Sequence, residues 1–295
     1  MTTYSFGYDP VVLAGLLITT LVLGLMIGSF LNVVIYRLPL SMLAKWKVEC
    51  KEFLSDNPNT EDEVAPNFNI AFPASHCPKC KAPIKPWQNI PVLSYLILKG
   101  RCHSCKASIS IRYPIIEVIT GLLSVFCLLI LGFSYEAGLA LVFTWSLIAL
   151  TMIDIDHRLL PDGITLPLMW LGILLNSFHL FTDLQSAVYG AILGYGVLWS
   201  VFWLFKFATG KEGMGFGDFK LLAALGAWMG WEMLPLIIIL SSFVGAAIGI
   251  AGILIAGRDK NIPIPFGPYL AIAGWIAFFW GDQITAAYLN YAKVG

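Results

Sequence analysis

Charge is what this chain has least of. Only 12% of its residues are Asp, Glu, Lys or Arg, where a soluble globular domain carries about 25%. The 18 basic and 18 acidic side chains cancel, so bulk electrostatics offer nothing to attract a nucleic acid, and no such partner is expected. Residues 1–10 lack the basic region of a cleavable signal peptide, and the apolar run that follows is expected to stay as a helix. The strand–glycine–helix pattern of a Rossmann unit is also missing, which removes the usual nucleotide-binding loop. What remains is apolar: 58% of the residues are hydrophobic and the mean hydropathy is +0.78. Such a composition belongs in a bilayer.

A spanning helix needs about 20 apolar residues. Eight segments qualify or come close, at about 11–36, 114–132, 136–153, 164–181, 186–206, 219–230, 233–256 and 266–289. The expected fold is an all-α polytopic membrane protein of about eight transmembrane helices, with the lipid bilayer as its surroundings. The sixth segment is short for a full span. Ser29, Asn32 and Arg37 sit at the far end of the first, so its hydrocarbon-embedded part should stop near residue 30. Basic residues supply the sidedness. With eight spans, every one of the 18 Lys and Arg except Lys293 falls in or beside the loops of one face, and that face should be cytoplasmic. The pairs Gly24/Gly28, Gly190/Gly194, Gly226/Gly230 and Gly245/Gly249 have the spacing that lets helix backbones approach closely in lipid, and read as bundle packing.

Residues 37–113 form the one sizeable extramembrane segment. Within it the acidic stretch 55–66 reads as a surface loop. Cys77-Pro-Lys-Cys80 and Cys102-His-Ser-Cys105 are separated by 21 residues. Two such knuckles match a tetrahedral four-thiolate zinc site, each supplying two sulfurs from one tight turn. A zinc-stabilised loop between the first two helices follows. Disulfides are disfavoured in the reducing cytosol, and four thiolates leave no open position for catalysis by the metal. His76 and His103 flank the cysteines, and either could replace a ligand. Cys50 and Cys127 read as packing residues.

Carboxylates in or near hydrocarbon are costly and mark function by default. The third segment ends in Asp154-Ile-Asp156-His-Arg-Leu-Leu-Pro161-Asp162. The sixth opens after Gly213-Met-Gly215-Phe-Gly217-Asp218-Phe-Lys220. Asp154 and Asp218 thus fall at the same, cytoplasmic, membrane edge. Two adjacent carboxylates suit acid–base hydrolysis of an amide. One, ionised, takes a proton from water; the other, protonated, polarises the scissile carbonyl; mutual repulsion keeps one proton shared between them. The glycines before Asp218 would let an extended substrate backbone come close. A lone GxGD is a weak signal and by itself reads as a helix-entry turn. Asp156, His157, Arg158 and Asp162 read as a solvated loop with local ion pairs, with Asp162 as a cap for the fourth helix. Glu117, one turn inside the second segment, either snorkels toward Arg112 or serves a second active site. His179 and Asp183 fall near the opposite face and read as structural.

Taken together, several blocks carry a resemblance that no single one would. These are Gly28-Ser-Phe-Leu-Asn-Val-Val-Ile-Tyr-Arg-Leu-Pro39, the paired knuckles with Trp87-Gln-Asn-Ile-Pro91 between them, and Ile111-Arg-Tyr-Pro114. Further on come Ile153-Asp-Ile-Asp156, Leu160-Pro-Asp162, Gly215-Phe-Gly-Asp218 and Pro265-Phe-Gly-Pro268. Over nearly its whole length the chain resembles the type IV prepilin leader peptidases, bacterial membrane aspartic proteases with a GxGD motif. The resemblance implies that Asp154 and Asp218 are catalytic. It implies substrates that are prepilins and type II secretion pseudopilins, cut after the Gly of a short basic leader on the cytoplasmic side of the inner membrane. It further implies N-methylation of the new first residue, usually Phe, with S-adenosylmethionine. On this basis residues 1–113 form the methyltransferase-associated region, holding zinc on Cys77, Cys80, Cys102 and Cys105, and residues 114–295 form the aspartic peptidase. Archaeal relatives lack both the cysteine loop and the methylation. The residues that bind the methyl donor do not follow from spacing; Gly100 and Glu117 are the candidates.

Two other functions compete. An ion-path protein would use its carboxylates at mid-depth, yet apart from Glu117 the apolar segments are nearly free of them. A membrane scaffold with a zinc-stabilised docking loop accounts for the cysteines but leaves Asp154 and Asp218 without a purpose.

Overall fold

The computed structural model of the chain describes residues 9–54, 69–70, 72–211, 213–256 and 264–294. Residues 1–8, the acidic stretch 55–66, and Arg258 and Lys260 lie outside the described residues. Among the described residues the protein is helical, and its only β pairing is two isolated bridges, His76 with Pro83 and Arg101 with Ser108. Two compact units divide it, Met1–Trp145 and Ser146–Gly295.

The first unit contains α1 (Pro10–Leu54), the short α2 (Leu93–Ile97), α3 (Arg112–Leu131) and the first part of α4 (Tyr135–His157). The helix α1 does not end where its apolar segment does. It runs on through Pro39 to Leu54, so the start of the expected loop is helical. Its membrane part packs on α3 because both are trimmed to small residues. A Cβ on Gly24 would lie 2.7 Å from the Ser124 hydroxyl, and one on Gly28 would lie 2.7 Å from the Cα of Glu117. The order of these contacts makes the two helices antiparallel. Cys127 is fully buried beside Thr144, as a packing residue should be, whereas Cys50 is exposed on the extension of α1.

The second unit holds the remainder of α4, then α5 (Asp162–Asn176), α6 (Leu184–Thr209), α7 (Phe216–Met229), α8 (Leu234–Ala256) and α9 (Gly267–Val294). Each of the eight expected segments overlaps one of the apolar helices α1 and α3–α9, but the one expected at 164–181 is helical only to Asn176. Six helices are long and apolar enough to cross a membrane, so the chain is a multi-pass membrane protein. The other two, α5 and α7, have 15 and 14 residues. At about 1.5 Å per residue each falls short of a hydrocarbon core of about 30 Å.

Burial explains the shortness of α7. Leu221, Leu222, Ala224, Leu225, Ala227 and Trp228 are all fully buried. A helix apolar on every side and shielded on every side is a core element. Its neighbours are α5, α6 and α9. Trp228 donates its indole N–H to the Leu168 carbonyl at 2.8 Å. The buried Asn176 spends its amide fully, donating to the carbonyls of Ala227 and Trp228 and accepting from the N–H groups of Phe181 and Thr182. Asp183 caps α6 by accepting from the Ser186 N–H at 2.9 Å.

The contact between α6 and α7 is glycine against glycine. A Cβ on Gly190 would collide with the Gly226 carbonyl, and one on Gly226 with the Gly190 carbonyl. Neither neighbour is a side chain that can swing away. Gly190→Ala should therefore force the helices apart, with an overpacking cost of about 1–3 kcal/mol. The expected result is a lowered thermal midpoint in detergent for Gly190→Ala, while Gly196→Ala, with open space around it, leaves the midpoint unchanged.

Candidate active site and metal centre

Asp154 lies in the last turn of α4, and Asp218 in the first turn of α7. Both are buried, at 5% and 6% exposure. They are near enough that the charge of Asp154 acts directly on Asp218. Each carboxylate is held by a glycine N–H. Gly215 caps α7 and donates to Asp218 Oδ2 at 3.2 Å. Gly267, at the start of α9, donates to Asp154 Oδ2 at 3.1 Å. Leu160 wedges the three strands of chain together. Added Cβ atoms on Gly217 and Gly267 would lie 2.7 Å and 3.1 Å from its side chain.

This geometry refines the expectation about the glycines. Gly217 is filled by Leu160 rather than left open to a substrate. Around Gly215, by contrast, the nearest atom to an added Cβ is the Asp218 carboxylate itself, at 3.9 Å, so space beside that acid is preserved. In the sequence Gly267 stands within the block Pro265-Phe-Gly-Pro268, which by itself assigns it no role. The available signal was a glycine flanked by Phe266 and Pro268 at a helix start, where backbone N–H groups point outward unpaired.

Asp162 is not the cap of α5. Pro161 holds that position, and Asp162 makes a bidentate ion pair with Lys220 at 2.7 Å and 2.8 Å. That pair fastens the start of α5 to the start of α7. It sits partly in solvent, so its energetic worth is small and its value is geometric.

In the first unit Cys77, Cys80, Cys102 and Cys105 converge, with all four sulfurs within 4.8 Å of one another. Zinc–thiolate bonds of about 2.3 Å in a tetrahedron require sulfurs about 3.8 Å apart, and Cys77 and Cys105 are separated by 3.8 Å. The knuckles are structural copies. Cys77 N–H donates to the Ala82 carbonyl as Cys102 N–H does to Ala107, and Lys81 N–H returns to Cys77 as Lys106 N–H does to Cys102. The copied sequence, Cys-x-x-Cys-Lys-Ala-x-Ile, was legible but unnoticed. Lys81 and Lys106 both take a positive φ, 59° and 58°, to close these turns.

The N–H groups of Cys80 and Lys79 point at the Cys77 sulfur and lower its pKa to about 6. Those of Cys105 and Ser104 do the same for Cys102, which is also lowered. At Cys80 the Ala82 N–H pulls downward too, but desolvation and the neighbouring sulfurs win and raise it to about 11. Four crowded sulfurs that cannot all ionise without a cation are what a zinc ion would complete. His76 hydrogen-bonds the Ala74 carbonyl and His103 packs edge-on to Trp87. The sulfur set is complete without either ring.

Glu117 is buried as well. It accepts from the Val92 N–H at 2.7 Å, and the Ser29 hydroxyl lies close by. Gly100 follows α2 at φ 66°, and a Cβ there would lie 2.9 Å from the Tyr95 hydroxyl. The turn into the second knuckle is thereby closed.

The fold and these two centres define an all-helical, multi-pass membrane protein with a glycine-held aspartate pair in one unit and a four-thiolate cluster in the other. Comparison with known sequences gives the family. The model described as Bacterial Peptidase A24 N-terminal domain matches residues 22–131, and that described as Type IV leader peptidase family matches residues 141–250. A protein of Stutzerimonas stutzeri called prepilin leader peptidase/N-methyltransferase is 55% identical, over 93% of this chain and 94% of its own. Relatives of the same name in Pseudomonas aeruginosa and Legionella pneumophila are 55% and 45% identical over 92% and 90% of the chain, and over 93% and 92% of their own lengths. The chain belongs to the type IV leader peptidase family. No solved structure matches it.

The cluster makes a direct prediction. Protein purified without chelator should carry about one zinc ion per chain, and Cys77→Ser or Cys102→Ser should each abolish it, as read by elemental analysis.

Proposed function

We propose that the chain cuts the leader from type IV prepilins and type II secretion pseudopilins after its terminal Gly, and then N-methylates the new first residue with S-adenosylmethionine. The observation that carries the reading is the pairing of Asp154 and Asp218 beneath two glycine N–H groups. The names of the relatives support both activities. The excess of basic residues on one face supports an inner-membrane protein working from the cytoplasmic side. A prepilin is itself an apolar helix with a basic leader in the cytosol, so its cleavage site would arrive at that same edge.

In the proposed reaction the pair holds one proton. The ionised aspartate takes a proton from water as the oxygen attacks the peptide carbonyl. The protonated aspartate gives its proton to the carbonyl oxygen. The tetrahedral intermediate then collapses, the C–N bond breaks, and the amine leaves with a proton returned through the pair. The N–H groups of Gly215 and Gly267 fix one oxygen of each acid, which leaves the other oxygens to face the substrate.

Residues 114–295 carry this peptidase in our reading, and residues 1–113 the methyltransferase. There Cys77, Cys80, Cys102 and Cys105 would hold a zinc ion, whose chemistry is structural, tying the two knuckles together. On the donor side Gly100 and Glu117 are the candidates.

A precursor with a Gly–Phe junction, incubated with the protein and read by mass spectrometry, tests the pair. Asp154→Ala and Asp218→Ala should each slow cleavage at least about 100-fold while the protein still inserts. Normal processing by either variant would remove the assignment. Gly267→Ala would set a methyl group 2.7 Å from Asp154 Oδ2. Displacement of that acid by a fraction of an ångström should slow cleavage by about 10- to 100-fold.

A further inference from the structure

Glu117 is a carboxylate without the partner that burial normally demands. It is 8% exposed and lies near the start of α3. Its hydrogen bond comes from a neutral donor, the Val92 N–H, and the neutral Ser29 hydroxyl lies close by. Among the described residues no cation faces it. An ionised carboxylate offers about four acceptor positions, so roughly half its capacity is unspent. Buried charges are ordinarily paired, and a neutral amide would have sufficed merely to hold the Val92 N–H.

The surroundings are built around this group. Val92, a β-branched residue, sits at φ 61° and ψ −49°, a conformation that costs free energy and is kept where function requires it. Gly28 brings α1 against the backbone of Glu117, which places Ser29 in reach. One turn before Glu117, the Tyr113 carbonyl is held by Asn32 at 3.1 Å. The result is a buried carboxyl group at the loop end of a membrane helix pair. It is short of one cationic hydrogen-bond donor.

Cleavage of a prepilin creates such a donor. The new first residue carries an α-ammonium and is followed by an apolar segment that stays in the bilayer. We propose that Glu117, a donor-side candidate above, instead receives this α-ammonium and acts as the general base for its methylation. The inference rests on the methyltransferase reading above. One N–H proton passes to the Glu117 carboxylate, leaving a neutral amine. The amine lone pair forms the N–CH3 bond as the S–CH3 bond of the sulfonium donor breaks. The electron pair of that bond stays on sulfur, giving a neutral thioether and a secondary ammonium. The proton on Glu117 then returns to water.

Glu117→Gln tests this, because glutamine keeps the shape and an acceptor for the Val92 N–H but cannot take a proton. Cleavage and methylation of the same precursor are measured together, with zinc content as a check on the loop. We expect methylation kcat to fall at least about 100-fold relative to cleavage, with the KM for S-adenosylmethionine unchanged and zinc retained. Methylation at the wild-type rate would overturn the proposal and leave Glu117 as an anchor for Val92. Loss of zinc together with methylation would do the same. A raised KM for the donor with unchanged kcat would mean that the cation served is the donor's sulfonium, and would also overturn it. Wild-type protein that cleaves but transfers no methyl group fails at the earlier step, the methyltransferase reading itself.

Discussion

A buried carboxylate held by a backbone N–H group is the arrangement on which this protein turns. It occurs at Asp154 with Gly267, at Asp218 with Gly215, and at Glu117 with Val92. The backbone dipole is fixed by the fold, so it holds an acid in place without neutralising it. A lysine or arginine in the same place would fix the acid as an ion pair and end its usefulness as a proton carrier. The Asp162–Lys220 pair shows the contrast, since it lies partly in solvent and ties elements together.

Such backbone-held acids need helix ends brought close together, and that requirement explains the second unit. The helix α7 carries Asp218 in its first turn and is buried along most of its length, so its neighbours must close around it with little side-chain volume between. Gly190 and Gly226 provide that closeness to α6. Trp228 and Asn176 lock its far end to α5. The near end is then positioned by packing contacts, and the Asp218 carboxylate is positioned with it.

Much of this was written plainly in the sequence. Hydropathy located the eight apolar helices, because lipid forces every spanning segment to satisfy its own hydrogen bonds. The two CxxC pairs announced their cluster, because four thiolates in that spacing have few other uses. Asp154 and Asp218 stood out because acids are rare at a membrane edge. What stayed hidden were the interactions that depend on backbone placement. Nothing in residues 265–268 reveals that the Gly267 N–H meets an acid on α4, since an amide has no sequence signature. The extension of α1 to Leu54 was masked by its polar residues, which obey helix propensity where apolar periodicity has ended. Asp162 looked like a cap because caps are local and frequent, whereas its partner Lys220 is remote.

The cysteine loop makes the same economy visible from another side. Among its described residues 69–111, only Cys77 and Gly100 are buried. An apolar core cannot hold such a segment, because too little surface is removed from water to offset the entropy of ordering it. Cross-links must do so instead. The sulfur cluster joins the knuckles to each other. The buried Arg37 joins the entry of the loop to α1 by donating to the Pro73 carbonyl at 2.7 Å and the Ile70 carbonyl at 3.3 Å. Glu117 joins the middle of the loop to α3 through Val92. Arg37 is thus a buried cation whose guanidinium donates to backbone carbonyls. A chain that can place few charges in lipid has put nearly every buried one where a backbone group already points, and so each of them sets geometry as well as charge.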